Sequence, residues 1–200
     1  MTTWIEEPHG GRDRGPVALA RAWVEVLVRP GRIFRAAVAP GDQAPGLTFA
    51  MAVVLVEEAT RLALSPTAIP ALTGSPHLSA ALTVAVAVLI VTPAALHLVA
   101  AIQTLPLLAL ADERAGISET VQVVAYATAP CALAGVPIPE VRILVTAYGA
   151  VLLVDGLATV HGISERRAWL AAAVPAAIVF GYGFRGFAAV ATLLSRWYII

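Results

Sequence analysis

The chain has 200 residues, 59% of them hydrophobic and 13% charged, with a mean hydropathy of +0.83. Soluble domains are roughly 45–50% apolar and 25% charged, so this composition points to a membrane. Thirteen arginines balance thirteen acidic residues, lysine is absent, and the neutral balance argues against the basic surface that nucleic-acid binding or an acidic substrate requires.

Residues 1–16 (MTTWIEEPHGGRDRGP) are polar and turn-rich and read as an exposed tail. Residues 17–38 read as an interfacial amphipathic segment. Val17–Val28 is too short and too charged to span, and Arg21 and Glu25 face one way. Leu19, Trp23 and Val26, or Ala20, Trp23 and Leu27, line the other side. Trp23 is expected at the polar–apolar boundary, with Arg21, Arg29, Arg32 and Arg35 toward lipid phosphate and Phe34 inward. No small-residue cleavage site in a polar context follows this stretch, so it does not read as a secretory signal.

Residues 46–196 read as one transmembrane domain with spans near 47–64, 78–100, 119–134, 141–160 and 168–190. The second apolar tract runs on to residue 110, too long for one upright helix, and a bend near Pro93 or Pro106, or strong tilt, is expected. Ser118 and Ser164 stand where N-caps belong. The third span, ETVQVVAYATAPCAL, is short and semi-polar and needs screening by protein. Cys131 within it is a buried hydrophobe, and as the single cysteine it excludes an internal disulfide.

With five spans, Arg12, Arg14, Arg21, Arg29, Arg32, Arg35, Arg114, Arg166 and Arg167 fall on one side and only Arg142 and Arg196 on the other. The positive-inside rule then makes the N-terminus cytoplasmic and the C-terminus external.

Five charged residues lie at membrane depth: Glu57, Glu58, Arg61, Asp155 and Arg185. Intramembrane charges need partners or a function. Glu57 and Arg61 are four apart, an intrahelical pair, and Glu58 has no such partner in its own helix. By depth, Arg185 is expected to approach Glu58 or Glu57, while Asp155 lies nearer the cytoplasmic face. These charges form either a buried register-fixing network or a polar route or binding site for an ion, proton, small solute or lipid headgroup. The four histidines are scattered, and no nucleotide-binding or HExxH motif is present. No enzyme activity, metal or cofactor is expected. The glycines of GYGFRG (181–186) form a close-packing surface or an unwound point.

Several local marks occur in order: RPGRIF before the first span, Tyr126 with Ala129-Pro130 in the third, and Tyr148 with Gly156 in the fourth. His161-Gly-Ile-Ser and Arg167-Ala168 follow. In this order the chain resembles the prokaryotic members of the Yip1 membrane-protein family, and its all-arginine, alanine- and valine-rich composition resembles a haloarchaeal version. The resemblance implies a five-helix integral membrane domain with a cytoplasmic N-terminal region and no established catalytic residues. Eukaryotic relatives associate with small GTPases and with each other, a role that carries over to no residue here. The expected role is interaction or membrane organisation, with a small channel or transporter as the competing reading. The expected partners are membrane lipids and other membrane proteins or further copies of the chain, with no nucleic acid among them.

Overall fold

Helices account for all the regular structure among the described residues, 15–198, of the computed structural model. The tail expected over residues 1–16 lies outside this range except for its last two positions, which open the first helix. In chain order the elements are α1 (Gly15–Val28), α2 (Pro30–Ala36), α3 (Ala44–Leu64), α4 (Pro76–Val86), α5 (Thr92–Leu110), α6 (Ile117–Ala127), α7 (Pro139–His161), α8 (Glu165–Ala176) and α9 (Gly186–Arg196). π-Helical stretches at Ala87–Val91 and Ala177–Gly183 continue α4 into α5 and extend α8. A 3-10 stretch, Ala129–Gly135, prolongs α6.

Prolines start many of these elements. Pro30, Pro45, Pro76, Pro93, Pro130 and Pro139 occupy first turns, where a missing N–H removes no hydrogen bond. Pro93 also falls within the continuous 35-residue helix Pro76–Leu110. Its ring crowds the preceding turn, and the turn widens into the π stretch just before it. The Thr92 hydroxyl donates to the Ala87 carbonyl, five residues back, at 2.8 Å. Residues 101–110 are therefore part of one helix with Thr92. Gly162, at φ 63°, closes α7 in the left-handed conformation that a terminal glycine adopts freely. Ser118 is no cap: Gly116 takes the N-cap position and the Ser118 hydroxyl has no partner. Ser164 does stand at the N-cap of α8, without a capping bond.

α6 runs through the middle, with every residue from Thr120 to Ala127 buried. With its 3-10 extension it packs against α3, α5 and α7. The semi-polar run thus has protein around it. Irregular backbone at membrane depth is tolerated where protein satisfies it, and the Thr128 hydroxyl donates to the Ala125 carbonyl at 2.7 Å.

Pro175, inside α8, has no N–H for the Ala171 carbonyl four residues back. The Gln103 side-chain amide, fully buried in α5, donates to that carbonyl at 2.9 Å. Replacing Gln103 with leucine orphans it, and unfolding in detergent micelles is expected to show a loss of about 1–3 kcal/mol.

Among the described residues two helices, Pro76–Leu110 and Pro139–His161, are long and apolar enough to cross a membrane, and there are three if the bent pair Glu165–Gly183 and Gly186–Arg196 counts as one span. The remaining two of the five expected spans do not qualify, one for its charges and the other for its length. α3 has 21 residues but carries Glu57, Glu58 and Arg61 in its second half. α6 has only 11 residues before its helix tightens. The expected final span, 168–190, is broken between Gly183 and Gly186, where the axis turns by 67°.

Candidate functional site

The second half of α3 places Glu57 and Glu58 next to each other and Arg61 one turn further on, and Arg185 reaches the two carboxylates from the break before α9. Glu57 is 3% exposed. Its Oε1 accepts from Nη2 of Arg185. Nη1 of Arg185 also points at Oε1 of Glu58, at 3.5 Å. Oε2 of Glu58 takes both Nε and Nη2 of Arg61, at 2.9 and 2.6 Å. The intrahelical pair is therefore Glu58–Arg61 at three residues' spacing, not Glu57–Arg61 at four. The reason is competition, because Arg185 occupies Glu57 and leaves Arg61 to Glu58. Two carboxylates and two guanidiniums form one chain of contacts with no net charge.

Local structure sets up this meeting. Arg185 has φ 61°, a left-handed backbone that costs a non-glycine residue on the order of 1–2 kcal/mol. Its neighbours hold it there. A side chain at Gly186 would run into the Phe180 carbonyl and Thr146, and one at Gly181 would occupy the Phe187 ring. The GYGFRG stretch is thus both an unwound point and a close-packing surface. On the opposite side, Gly135 ends the 3-10 stretch directly on the Glu57 carbonyl, where no side chain fits. Arg142 fixes that end by donating to the carbonyls of Ala134 at 2.9 Å and Val136 at 3.4 Å.

Asp155 is not part of the group. It lies toward the other end of α7, where the charges acting on it are those of Arg35 and Glu165. His161, six residues on, is buried with Nε2 at 3.3 Å from the Thr120 hydroxyl. His97 makes two polar contacts, with Nδ1 at 2.7 Å from the Pro93 carbonyl and Nε2 at 2.9 Å from Oε1 of Gln43. Among the described residues no group of three or more His, Cys, Asp and Glu side chains is placed to hold a metal ion.

The N-terminal residues divide differently from the interfacial reading. Arg21, Arg29, Arg32 and Arg35 are exposed, and Arg32 reaches Glu25 at 3.4 Å. Trp23 and Phe34, expected as interface anchors, dock into the bundle instead. The Trp23 indole donates to the Ala129 carbonyl at 2.9 Å and packs on Phe49, with ring centroids 5.4 Å apart. Phe34 is 1% exposed and lies against Gly156, where a Cβ would sit 2.8 Å from its ring. The fully buried face of α1 is Ala18, Ala22 and Val26, a row of mostly small residues that lets the helix approach closely. Three bonds that sequence reasoning missed complete the docking. The Tyr148 hydroxyl donates to the Leu27 carbonyl at 2.6 Å, and the Gln122 amide pairs with both backbone groups of Ala39, at 2.7 and 3.1 Å. Their only signal in the sequence is a tyrosine and a glutamine in otherwise apolar helices.

Beside the charged group lies a cavity of about 230 Å³, walled by α3, α5, both π-helical stretches and Phe184. Glu57 and Glu58 line it, whereas Arg61 and Arg185 do not.

A family model described as Yip1 domain matches residues 24–185. The match opens next to Trp23 and closes on Arg185, so it takes in the last turn of α1, all of α2 and all of the charged group. No curated protein and no solved structure matches the chain.

Proposed function

The chain belongs to the Yip1 domain family, and from that premise we propose that it is a non-enzymatic, multi-pass protein of the cell membrane acting through interaction or membrane organisation. The observation that carries this reading is the mutual neutralisation of Glu57, Glu58, Arg61 and Arg185 where α3 meets the break between α8 and α9. Buried charges that pair across helices, as Glu57 and Glu58 do with Arg185, favour one register of the helices carrying them. A conduit would need polar walls beyond the charges themselves, and the adjoining cavity is lined chiefly by Ala, Val, Leu and Ile.

Within this reading the chain crosses five times, through α3, α4–α5, α6 with its 3-10 extension, α7, and α8–α9. Contacts between the connecting segments support that arrangement. Arg167 donates to the Leu110 carbonyl at 3.2 Å and lies 3.7 Å from Asp112, which joins the two loops assigned to the cytoplasm. Arg196 meets Glu140 at 3.2 Å on the side assigned to the exterior. α6 crosses despite its polar residues because neighbouring helices stand between it and lipid. The arginine asymmetry puts the N-terminus in the cytoplasm. Partners are membrane lipids and other membrane proteins or further copies of the chain.

Glu58→Gln in proteoliposomes separates this role from a channel or transporter. The expected result is a lowered unfolding midpoint with no proton or monovalent-ion flux above protein-free vesicles in either form. Flux through the native protein that Glu58→Gln alters at an unchanged midpoint contradicts it.

A further inference from the structure

The cavity beside the charged group presents a one-sided chemistry. Its polar lining consists of Glu57, Glu58, Thr92 and Thr128. Both threonine hydroxyls already spend their hydrogens, on the Ala87 carbonyl at 2.8 Å and the Ala125 carbonyl at 2.7 Å. What they turn outward is lone pairs. Among the described residues Oε2 of Glu57 accepts no hydrogen bond: Arg185 engages Oε1 only. That free acceptor belongs to a side chain just 3% exposed. The two arginines that neutralise the carboxylates stand outside the cavity lining. Every polar group facing the space is therefore an acceptor, two of them anionic. The Phe184 ring in the wall adds a surface that also attracts a cation.

The remaining wall is apolar and reaches the outside of the bundle. Val91 and Ala95, in the π stretch and α5, are exposed on the face turned away from the core. A ligand entering from the bilayer would pass these residues. The space is smaller than the roughly 300–1,000 Å³ of a site that encloses a whole drug-sized ligand, so it suits a headgroup and the first part of a chain, the rest remaining in lipid.

We propose that this cavity is a binding site for an amphiphile whose head carries a cationic nitrogen, such as a primary amine, held by Glu57 and Glu58 with its chain running out past Val91 and Ala95. The site rests on reading the four charges as a fixed network, which leaves Oε2 of Glu57 available to a ligand.

The test uses the full-length protein in non-ionic detergent micelles, with dodecylamine and dodecyl sulfate as probes and native mass spectrometry to count bound molecules. One dodecylamine per chain is expected, retained at least tenfold more tightly than dodecyl sulfate. Ala95→Phe, a change on an exposed position, fills the entrance and is expected to abolish retention with an unchanged melting temperature. Glu57→Gln is expected to weaken it at least tenfold. Equal retention of the two probes, no retention of dodecylamine, or full retention by Ala95→Phe overturns the proposal. If Glu57→Gln does not fold, Ala95→Phe and the probe comparison decide alone. Failure of the network itself has a separate readout, an unchanged unfolding midpoint in Arg185→Gln.

Discussion

Arg185→Gln is expected to lower the unfolding free energy by about 3–5 kcal/mol, the usual consequence of removing one partner from a buried ion pair. Among the described residues Glu57 has no second hydrogen-bonded partner, since Arg61 is engaged by Glu58. A neutral amide at position 185 also leaves the left-handed backbone there without the ion pair that holds it. The loss should appear as a fall in the denaturation midpoint in micelles, with helix content before the transition unchanged. A conservative Arg185→Lys should recover only part of it. A point charge can reach one carboxylate, but not both in the two-armed manner of a guanidinium.

The second large effect is expected at Phe34. Truncation to alanine empties the site against Gly156 and Val123 and should destabilise the protein by about 3–5 kcal/mol, as for other buried phenylalanines. The direction of the effect distinguishes docking from lipid anchoring. If Phe34 were an interfacial anchor, its loss would weaken membrane association and leave the bundle's stability alone. Docked as it is, its loss should free α2 from α7 and expose the backbone around Arg29–Ala37 to faster hydrogen exchange.

Sequence and structure part company at places with identifiable physical causes. The meeting of Arg185 with Glu57 and Glu58 was legible because charges at similar membrane depth have few alternatives to one another. Which carboxylate takes which arginine was not, because the choice depends on where the α8–α9 break delivers Arg185. That break is set by tertiary contacts of Gly181 and Gly186. Asp155 shares with the others only its charge within an apolar helix, and its shallower depth agrees with its place apart, near Arg35 and Glu165. Trp23 and Phe34 show a general ambiguity, since an apolar stripe looks the same whether it faces lipid or another helix. Both docking partners, Ala129 and Gly156, lie more than a hundred residues away in sequence. The local marks that carried the family resemblance, in RPGRIF, Ala129-Pro130, Tyr148 and Gly156, turn out to be the contact points of α1 and α2 with the bundle. Their order along the chain was visible, and their shared site was not. The π-helical stretches left only prolines as a trace.

A double-mutant cycle on unfolding stability, with Glu57→Gln, Arg185→Gln and the two combined, measures whether Glu57 and Arg185 lock α3 to the break between α8 and α9. The double variant is expected to be more stable than Arg185→Gln alone, with a coupling energy at the upper end of the roughly 0.5–3 kcal/mol seen for interacting neighbours. If the two residues do not couple, the single losses add in the double variant, and that result would contradict the lock.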